Sequence, residues 1–392
     1  MRLKRTLFSL ITLCSLVVAL GSAGQPTLAQ ISPEQAAQSQ TTTITAAEAE
    51  QQAALTTWTR TARLAAKPMV LPTISSAEIM ASAVDEQNLG AAGSSAGRRP
   101  SLDAERVARS QYPEEWQQLT KDLEVQSAAE DLETGKNSLF APLIIQSTEQ
   151  AVTASGVEVV DGTAGVYTSY LGNFHAQMHQ QYPYHAVGKL YSSSGTCSAS
   201  VISPNNVIVT AAHCVYDTVN NRWYTDFAFV PGDRAGVAPY GVFPWASVSI
   251  MNEYISAPSR NARYDVAVMK LGNNSVGRSV TFYTGWLGRS WGQNAVQSLH
   301  AIGYPSNLNS GNYTYICAAE SFSGGTDVLG MGCNMTFGSS GGPWIRIFAP
   351  YTSGAVNYVN SVVSGGTPGT NTFYGIRFTT SNIVTLCTRQ GC

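Results

Sequence analysis

The sequence is poor in charged residues, in histidine and in long apolar runs. Charged residues make up 12% of the 392 residues, and the net charge of −2 favours neither nucleic acid nor an anionic membrane as a partner. The chain has five histidines, none at ligand spacing, and no CxxC pair, so we expect no metal and no cofactor. After Leu20 no segment is apolar for long enough to span a bilayer, so we expect no stable membrane association.

The first residues have the composition of an export signal. A basic start precedes an apolar run from Leu7 to Leu20, and small residues follow, with candidate cleavage sites after Ala23 and Ala29. The apolar run is shorter than the roughly 20 residues that a transmembrane helix needs. We therefore expect residues 1–29 to be a signal peptide and the protein to be secreted, either to the extracellular space or to the periplasm.

Cysteine is absent from residues 31–156, and all six cysteines of the exported chain come later. An even number of cysteines in an exported chain indicates disulfides, although six cysteines allow fifteen pairings. Pairing between neighbours in sequence is the simplest interpretation, and it gives Cys197–Cys214, Cys317–Cys333 and Cys387–Cys392.

Residues 30–158 differ in composition from the rest of the chain. Residues 31–156 carry 16 acidic and 9 basic side chains, whereas residues 157–392 carry 9 acidic and 11 basic ones. The stretches Gln35–Ala54 and Leu89–Gly97 have the composition of flexible segments. One helix is predicted from Pro113, with acids in its first turn. We interpret residues 30–158 as a propeptide; a disordered spacer or a permanent N-terminal domain is the alternative.

From about Val159 the sequence has the pattern of an all-β protein. Short segments with β-branched or alternating residues are separated by Gly, Pro and Asn, and no strand–helix alternation occurs. These segments begin at His185, Ala199, Asn206, Asp265, Leu299 and Ser361.

The segment Gly338-Ser-Ser-Gly-Gly-Pro is the first candidate for chemistry. Glycines beside a serine allow a tight turn that presents the hydroxyl, and they let a substrate carbonyl approach backbone N–H groups. The segment also fits G-x-S-x-G, the nucleophile elbow of α/β-hydrolases, in which the histidine follows the serine. No histidine follows Ser340, so that interpretation fails.

The order His, then Asp, then Ser is present instead. His213 follows the predicted strand Val207-Ile-Val on a turn next to Cys214, and Asp265 opens another apolar strand. A buried acid at that place needs a partner, and the imidazole of His213 is a suitable one. We therefore predict a catalytic triad of His213, Asp265 and Ser340.

Three segments together resemble the active-site segments of chymotrypsin-like serine peptidases, most closely the bacterial glutamyl-endopeptidase-like branch: Thr210-Ala-Ala-His-Cys, Asp265-Val-Ala-Val and Gly338-Ser-Ser-Gly-Gly-Pro. Gly195-Thr-Cys-Ser-Ala-Ser-Val-Ile is similar to one of the first strands of that branch. The resemblance covers about residues 159–392. It implies two antiparallel six-stranded β-barrels, at 159–280 and 281–392, preceded by a partly helical or disordered pro-region.

The resemblance also assigns roles to residues. It implies that Ser340 is the nucleophile, that His213 is the general base and then acid, and that Asp265 orients the imidazole. The backbone N–H groups of Gly338 and Ser340 would form the oxyanion hole. The substrate-binding strand and the specificity pocket beside it are expected at Asn334, Ser364, Gly365, Gly366 and Gly375.

Two departures from the family pattern are visible. Ser339 stands where the animal digestive enzymes have an acid that pairs with a freed N-terminus. The histidine of glutamyl-specific members is missing from Val362-Val-Ser, and Asn334 stands where trypsin-like members have an acid. No cleavage preference is therefore predicted. We expect a monomeric serine endopeptidase acting on proteins or peptides. An inactive relative that serves as a binding or adhesion module and an esterase with the same triad are the alternatives.

Overall fold

The computed structural model describes residues 38–74, 91–122, 157–162, 165–172, 181–256, 262–352, 354–367 and 369–392. The expected signal peptide, residues 1–29, lies outside these ranges. Within them, no helix is both long and apolar enough to cross a membrane.

The described residues are mostly β-structure. The strands are β1 (Thr41–Thr45), β2 (Gly93–Ser95), β3 (Val157–Gly162), β4 (Gly165–Leu171), β5 (Val187–Ser192), β6 (Gly195–Ser203), β7 (Val207–Thr210), β8 (Tyr216–Asp217), β9 (Arg222–Trp223), β10 (Ala228–Pro231), β11 (Phe243–Met251), β12 (Ala267–Leu271), β13 (Gly288–Trp291), β14 (Ser298–Gly303), β15 (Tyr315–Glu320), β16 (Phe322–Ser323), β17 (Val328–Gly332), β18 (Pro343–Arg346), β19 (Tyr358–Thr367) and β20 (Thr372–Arg377). The helices are α1 (Glu48–Thr57), α2 (Arg60–Ala65), α3 (Ala104–Gln111), α4 (113–122), α5 (Asn252–Ser256), α6 (Val280–Thr284) and α7 (Thr385–Gln390).

The first sheet closes into a six-stranded barrel. Its strands follow the order β10-β5-β6-β7-β12-β11, and β11 pairs back with β10. The segments that build it are rich in Val, Ile and Phe, and their side chains fill the barrel; Val201, Val209 and Phe229 are fully buried. Closure leaves few unpaired strand edges, which explains why these short strands are stable together.

The second sheet is a curled, half-closed barrel with the order β16-β17-β20-β19-β18-β14-β15-β4-β3. The antiparallel all-β fold expected from the sequence is therefore present, with one closed barrel and one curled sheet. A continuous apolar core joins the two, because Ile302 and Val362 of the second sheet belong to the same buried cluster as Val209 of the first.

Strands β3 and β4 join the second sheet, although the sequence analysis placed residues from 159 onward in the first barrel. Strand β4 pairs with β15 along five residues, and β3 pairs with β4. Tyr167 and Ser169 of β4 are buried on this sheet. The second sheet thus takes one of its edges, β4 and β3, from the beginning of the catalytic region and the other strands of this order from residues after 280.

The N-terminal region is folded onto the catalytic region. Strand β1 pairs with β11 of the barrel, beyond the point where β10 ends, and α1 follows it. Strand β2 pairs with β13. The prediction that Gln35–Ala54 and Leu89–Gly97 are flexible is therefore wrong for the described parts of both. Their polar, low-complexity composition does not prevent pairing, because strand pairing uses backbone groups that every residue except proline supplies.

The predicted helix is present, and α4 begins at Pro113. Trp116 and Leu119 are buried against the first barrel, where the indole Nε1–H of Trp116 donates to the carbonyl oxygen of Pro239 at 2.7 Å. Arg109 of α3 stacks on the indole ring of Trp116, with 4.1 Å between the guanidinium carbon and the ring centre. The apolar face of this helix therefore serves to attach the N-terminal region to the barrel.

Candidate active site

The register of two neighbouring strands brings His213 and Asp265 together. Strands β7 and β12 are antiparallel, and Ala267 lies opposite Thr210. His213 follows β7 in a short 3₁₀ turn, and Asp265 precedes β12. Because the end of β7 and the start of β12 lie at the same edge of the barrel, the two side chains meet there.

Asp265 holds His213 through both of its carboxylate oxygens. Oδ1 accepts the backbone N–H of His213 at 2.8 Å, and Oδ2 lies 2.8 Å from the ring nitrogen Nδ1. Both residues are buried. Because a carboxylate can only accept, Nδ1 carries a proton and donates a hydrogen bond to Oδ2. In the neutral ring Nε2 is then the nitrogen without a proton, which can act as a base.

Ser364 is a third member of this hydrogen-bonded group. Its Oγ–H donates to Oδ2 of Asp265 at 2.6 Å. The ladder between β19 and β20 shifts register between Val363 and Gly365, so Ser364 occupies a β-bulge. A bulge turns a side chain away from its normal direction on the strand. It aims the Ser364 hydroxyl at the carboxylate across the boundary between the two sheets.

Ser340 lies in a turn that only glycine allows at two positions. Gly338 and Gly341 have φ values of +87° and +76°. A Cβ atom on Gly341 would stand 2.0 Å from Oγ1 of Thr210, and one on Gly338 would stand 2.6 Å from the carbonyl oxygen of Tyr304. The glycines predicted from the sequence as turn formers are therefore required both by backbone conformation and by space.

Both sheets hold the Ser340 turn. The backbone N–H of Ser198, on β6, donates to the carbonyl oxygen of Ser340 at 2.8 Å. Gly341 N–H donates to Val363 O at 2.8 Å, and Val363 N–H donates to Gly342 O at 2.9 Å. Since Ser364 follows Val363 directly, these bonds place the turn beside the group formed by Asp265 and His213.

Ser340 is fully buried, although the glycine turn was expected to present its hydroxyl. Its Oγ has no hydrogen-bond partner among the described residues. A buried hydroxyl without a partner requires an explanation in a folded protein, and a catalytic role is one of those known. The segment Lys67–Ile74 of the N-terminal region lies against Gly338 of the same turn, a contact that the sequence did not indicate.

The residues expected to form the substrate-binding strand and the pocket lie on adjacent strands. Val363 pairs with Gly375, and Gly366 pairs with Phe373. A Cβ atom on Gly375 would stand 2.3 Å from Oγ of Ser361, so a larger residue does not fit there. Asn334, which precedes the Ser340 turn, is partly exposed, and its carbonyl oxygen accepts from Nδ2 of Asn307 at 2.8 Å.

Three disulfides are present, and they are the three local pairs: Cys197–Cys214, Cys317–Cys333 and Cys387–Cys392. The first joins β6 to the turn that carries His213. It therefore limits the movement of the candidate base relative to Ser198, which holds the Ser340 turn from the same strand.

The family of the chain follows from a comparison with protein families. The trypsin family matches residues 171–384, which is more than half of the chain. The chain belongs to the trypsin family.

Two curated relatives match parts of this trypsin-family chain. A glutamyl endopeptidase of Bacillus licheniformis is 30% identical over 134 residues, covering 33% of this chain and 39% of the relative. An extracellular metalloprotease of Bacillus subtilis is 31% identical over 108 residues, covering 26% of this chain and 33% of the relative. The chain thus spans well under half the length of these relatives. The crystal structure of a thermostable serine protease from an extremophilic microorganism is 25% identical, with a TM-score of 0.44, covering 53% of this chain and 96% of that one.

The name of the second relative raises the question of a metal. Among the described residues, one group has enough ligand atoms close together, namely Cys197, His213 and Cys214. The two sulfurs are bonded to each other, and Nδ1 of His213 lies against Asp265. A metal would need thiolates, so this group does not fit one.

The sequence analysis missed Ser198 and Thr196 of this trypsin-family site. Ser198 Oγ–H donates to the carbonyl oxygen of Gly338 at 2.9 Å and accepts the N–H of Tyr304 at 3.0 Å, so its hydroxyl fixes the turn as its backbone does. Thr196 presents its backbone N–H and C=O to Lys67 and Met69. Neither residue carries a distinct signal in the sequence, because β6 also contains Ser200 and Ser203.

Proposed function

We propose that this chain is the precursor of a secreted serine endopeptidase in which Ser340, His213 and Asp265 form a catalytic triad. The observation that carries the proposal is the buried group in which Asp265 binds His213 and Ser364, next to the glycine turn that presents Ser340. The membership of the trypsin family supports it.

The proposed chemistry follows from the proton positions. Nε2 of His213 takes the proton of Ser340 Oγ as the oxygen attacks the substrate carbonyl, and it later gives that proton to the leaving amine. Asp265 stabilises the imidazolium that forms between these steps. The N–H groups of Gly338 and Ser340 hold the oxyanion of the tetrahedral intermediate. An acyl-enzyme on Ser340 results, and water hydrolyses it with His213 again as the base.

Replacement of each of the two neighbouring serines tests the nucleophile. We expect Ser340→Ala to lower kcat by about 10⁶-fold and to leave the fold intact, because the Ser340 hydroxyl makes no hydrogen bond among the described residues. Ser339→Ala is the matched control. The Ser339 hydroxyl donates to the carbonyl oxygen of Thr336 at 2.5 Å, so its loss should change stability more than activity. Full activity in Ser340→Ala, or loss of activity only in Ser339→Ala, would show that Ser340 is not the nucleophile.

Two further experiments address the two alternatives. A serine-directed phosphonate that labels Ser340 excludes an inactive binding module. Comparison of kcat/KM on a peptide and on a simple ester of the same acyl group separates an endopeptidase from an esterase. An enzyme that hydrolyses only the ester would contradict the proposal while leaving the triad assignment in place.

The proposed domain organisation is a signal peptide at 1–29, a propeptide at 30–158, and a catalytic unit at 159–392 that acts as a monomer on proteins or peptides. The six cysteines after residue 156, paired as three disulfides, support export. Intact mass and N-terminal sequencing of the enzyme from its native secretion medium test the boundaries. An active enzyme that still carries Trp116 and Leu119 would show that the N-terminal region is a permanent part of the protein.

A further inference from the structure

The segment Lys67–Ile74, which we call the strap, crosses the catalytic region in extended form. At its beginning, Met69 N–H donates to Thr196 O at 2.9 Å, and Thr196 N–H donates to Lys67 O at 2.8 Å. Thr196 precedes Cys197, whose disulfide partner follows His213. The first residues of the strap therefore lie on the side of the site where the disulfide stands.

The middle of the strap occupies one of the proposed oxyanion donors. The backbone N–H of Gly338 donates to the carbonyl oxygen of Met69 at 3.1 Å. A Cβ atom on Gly338 would stand 3.1 Å from Cβ of Pro68, so the strap lies directly against the turn. A substrate carbonyl cannot bind the same N–H while Met69 is in place.

The end of the strap covers the proposed substrate-binding strand. Gly366 N–H donates to Pro72 O at 3.0 Å, and Ile74 N–H donates to Gly366 O at 3.1 Å. Ile74 is 1% exposed and is buried with Val328 and Tyr374. The backbone groups of Gly366 are thus already paired, and none is left for a peptide substrate.

Leu71, next to Pro72, packs on the residues around the proposed pocket. It contacts the buried cluster that contains Met335, Val363 and Phe373, and it lies 3.2 Å from the position of a Cβ atom on Gly366. Strap side chains therefore fill apolar surface on this side of the site, in addition to the backbone pairing.

The direction of the strap is opposite to that of a substrate. A specificity pocket binds the residue on the acyl side of the scissile bond, so the N-terminal half of a substrate lies along Ser364–Gly366 and its C-terminal half lies beyond Ser340. In the strap the earlier residues lie at Thr196 and the later ones at Gly366. Both contacts are parallel bridges, Pro68 with Thr196 and Thr73 with Gly366.

We propose that the strap is an autoinhibitory element that fills the substrate cleft in reverse and resists cleavage there. This inference rests on the proposed peptidase function. The carbonyl group of Met69 reaches a proposed oxyanion donor, but the chain that follows it, beginning with the amide nitrogen of Val70, continues toward Gly366. His213 stands on the disulfide side, where a leaving amine must be protonated. The strap therefore pairs with backbone groups that a substrate would use, in the opposite direction, and lacks the geometry for acyl transfer.

The residues just before the strap attach it to the barrel. The Arg63 guanidinium is buried, and it donates to the carbonyl oxygens of Gly236, at 2.7 and 2.9 Å, and of Trp58, at 2.7 Å. It also binds the carboxylate of Glu115 at 3.0 Å. Trp58 packs against Tyr191 with 4.9 Å between ring centres and the rings tilted by 41°. The strap is thus held close to the cleft by anchors that take no part in the chemistry.

The first test measures how fast a serine-directed phosphonate labels the precursor, with intact mass confirming that the labelled species still contains the strap. Ile74→Ala and Leu71→Asp each remove apolar contacts of the strap. We expect both to raise the labelling rate by about tenfold or more, which corresponds to about 1.4 kcal/mol in the opening equilibrium. Val70→Asp is the matched control, because Val70 is 67% exposed within the same strap. Its labelling rate should equal that of the parent.

The second test determines the direction with cysteine pairs in a Ser340→Ala background of the full exported chain. Thr73→Cys with Gly366→Cys should form a disulfide, and Pro68→Cys with Gly366→Cys should not, as mapped by mass spectrometry. The opposite result would show that the strap runs as a substrate does. The direction test requires no activity and uses neither Ile74→Ala nor Leu71→Asp, so it remains informative if either of those variants changes folding.

The two tests separate the failure of this inference from the failure of the proposed function. If the parent precursor is labelled as fast as Ile74→Ala and Leu71→Asp, the protein is a serine hydrolase and the strap does not inhibit it. If neither the precursor nor any variant is labelled while thermal unfolding shows a folded protein, the peptidase proposal fails, and the inhibitory role fails with it. Faster labelling of both strap variants with the expected disulfide supports the inference.

Discussion

Replacing Asp265 with asparagine preserves the shape of the side chain, and we expect it to reverse the tautomer of His213. In the native protein Oδ1 accepts the N–H of His213 at 2.8 Å, and Oδ2 accepts from Nδ1 at 2.8 Å and from Ser364 at 2.6 Å. The asparagine oxygen must stay on the backbone N–H, because an NH₂ group there would oppose another donor. The NH₂ group then faces Nδ1, which becomes an acceptor, and the ring proton moves to Nε2.

The magnitude follows from the loss of the base. With its proton on Nε2, His213 cannot accept the proton of Ser340, and a tautomer error of this kind lowers kcat by about 10⁴-fold. That factor corresponds to about 5.5 kcal/mol of transition-state free energy. The free energy of unfolding should fall by only about 1–3 kcal/mol, because charge-assisted hydrogen bonds are replaced by neutral ones in an unchanged space.

The assay measures kcat and KM of the activated enzyme on a peptide substrate, together with urea unfolding. Asp233→Asn is the matched control, since Asp233 is also buried but binds Tyr191 at 2.8 Å and Lys189 at 3.5 Å, away from the proposed triad. It should lower stability and leave kcat close to that of the parent. An Asp265→Asn enzyme that keeps more than about a tenth of kcat would refute the tautomer argument.

Two further predictions concern stability. Burial lowers the pKa of His300, which stacks on Phe348, to about 4, below its ordinary value of 6.5. The unfolded chain therefore binds the proton more readily, so this contribution is fully present above about pH 6.5 and is lost as pH falls toward 4. In His300→Phe the free energy of unfolding, measured by urea titration, should change less between pH 4 and pH 7 than in the parent, by at most about 3 kcal/mol. An unchanged pH dependence of this free energy would contradict the prediction. Replacing both Cys197 and Cys214 with alanine opens a loop with a sequence separation of 17 and should lower the free energy of unfolding by about 3 kcal/mol, as measured by denaturant titration. Mass spectrometry of the unreduced parent should recover this pair, and a free Cys214 would overturn the prediction.

The parts of the site that sequence could predict are those where the chemistry demands a residue type. The glycines at 338 and 341 are required by positive φ and by close contacts, so they mark the turn in the sequence itself. The acid at 265 stands at the head of a buried strand, where an unpaired charge would be costly. Such positions restrict the choice of residue strongly, and this is why their order along the chain was sufficient to predict a triad.

The parts that sequence could not predict depend on register and on backbone contacts. The role of Ser364 toward Asp265 comes from a bulge between β19 and β20, and a shift of register leaves no mark in the sequence of one strand. The attachment of β4 to β15 depends on which strand edge is available after the barrel has closed. The composition of Gln35–Ala54 indicated flexibility, yet β1 within it is paired along its whole length with β11.

The strap is the feature that the sequence indicates least, because it is held in the cleft by backbone contacts. The same backbone pairing explains how the strap inhibits and how it is released. Its contacts at Thr196, Gly338 and Gly366 are made by backbone atoms, so residues 67–74 need no recognisable motif. A strand can pair in either direction, and the parallel arrangement is slightly less stable per residue. The anchors at Trp58 and Arg63 compensate, because a tethered segment acts at a local concentration in the millimolar range. The strap is connected to the rest of the chain on both sides, so this advantage is lost only when one cut separates it from the anchors and a second cut separates it from the catalytic unit. A weakly paired reversed peptide then competes poorly with substrate. Latency would therefore depend on the covalent connections, and cleavage on both sides of the strap would be sufficient for activation.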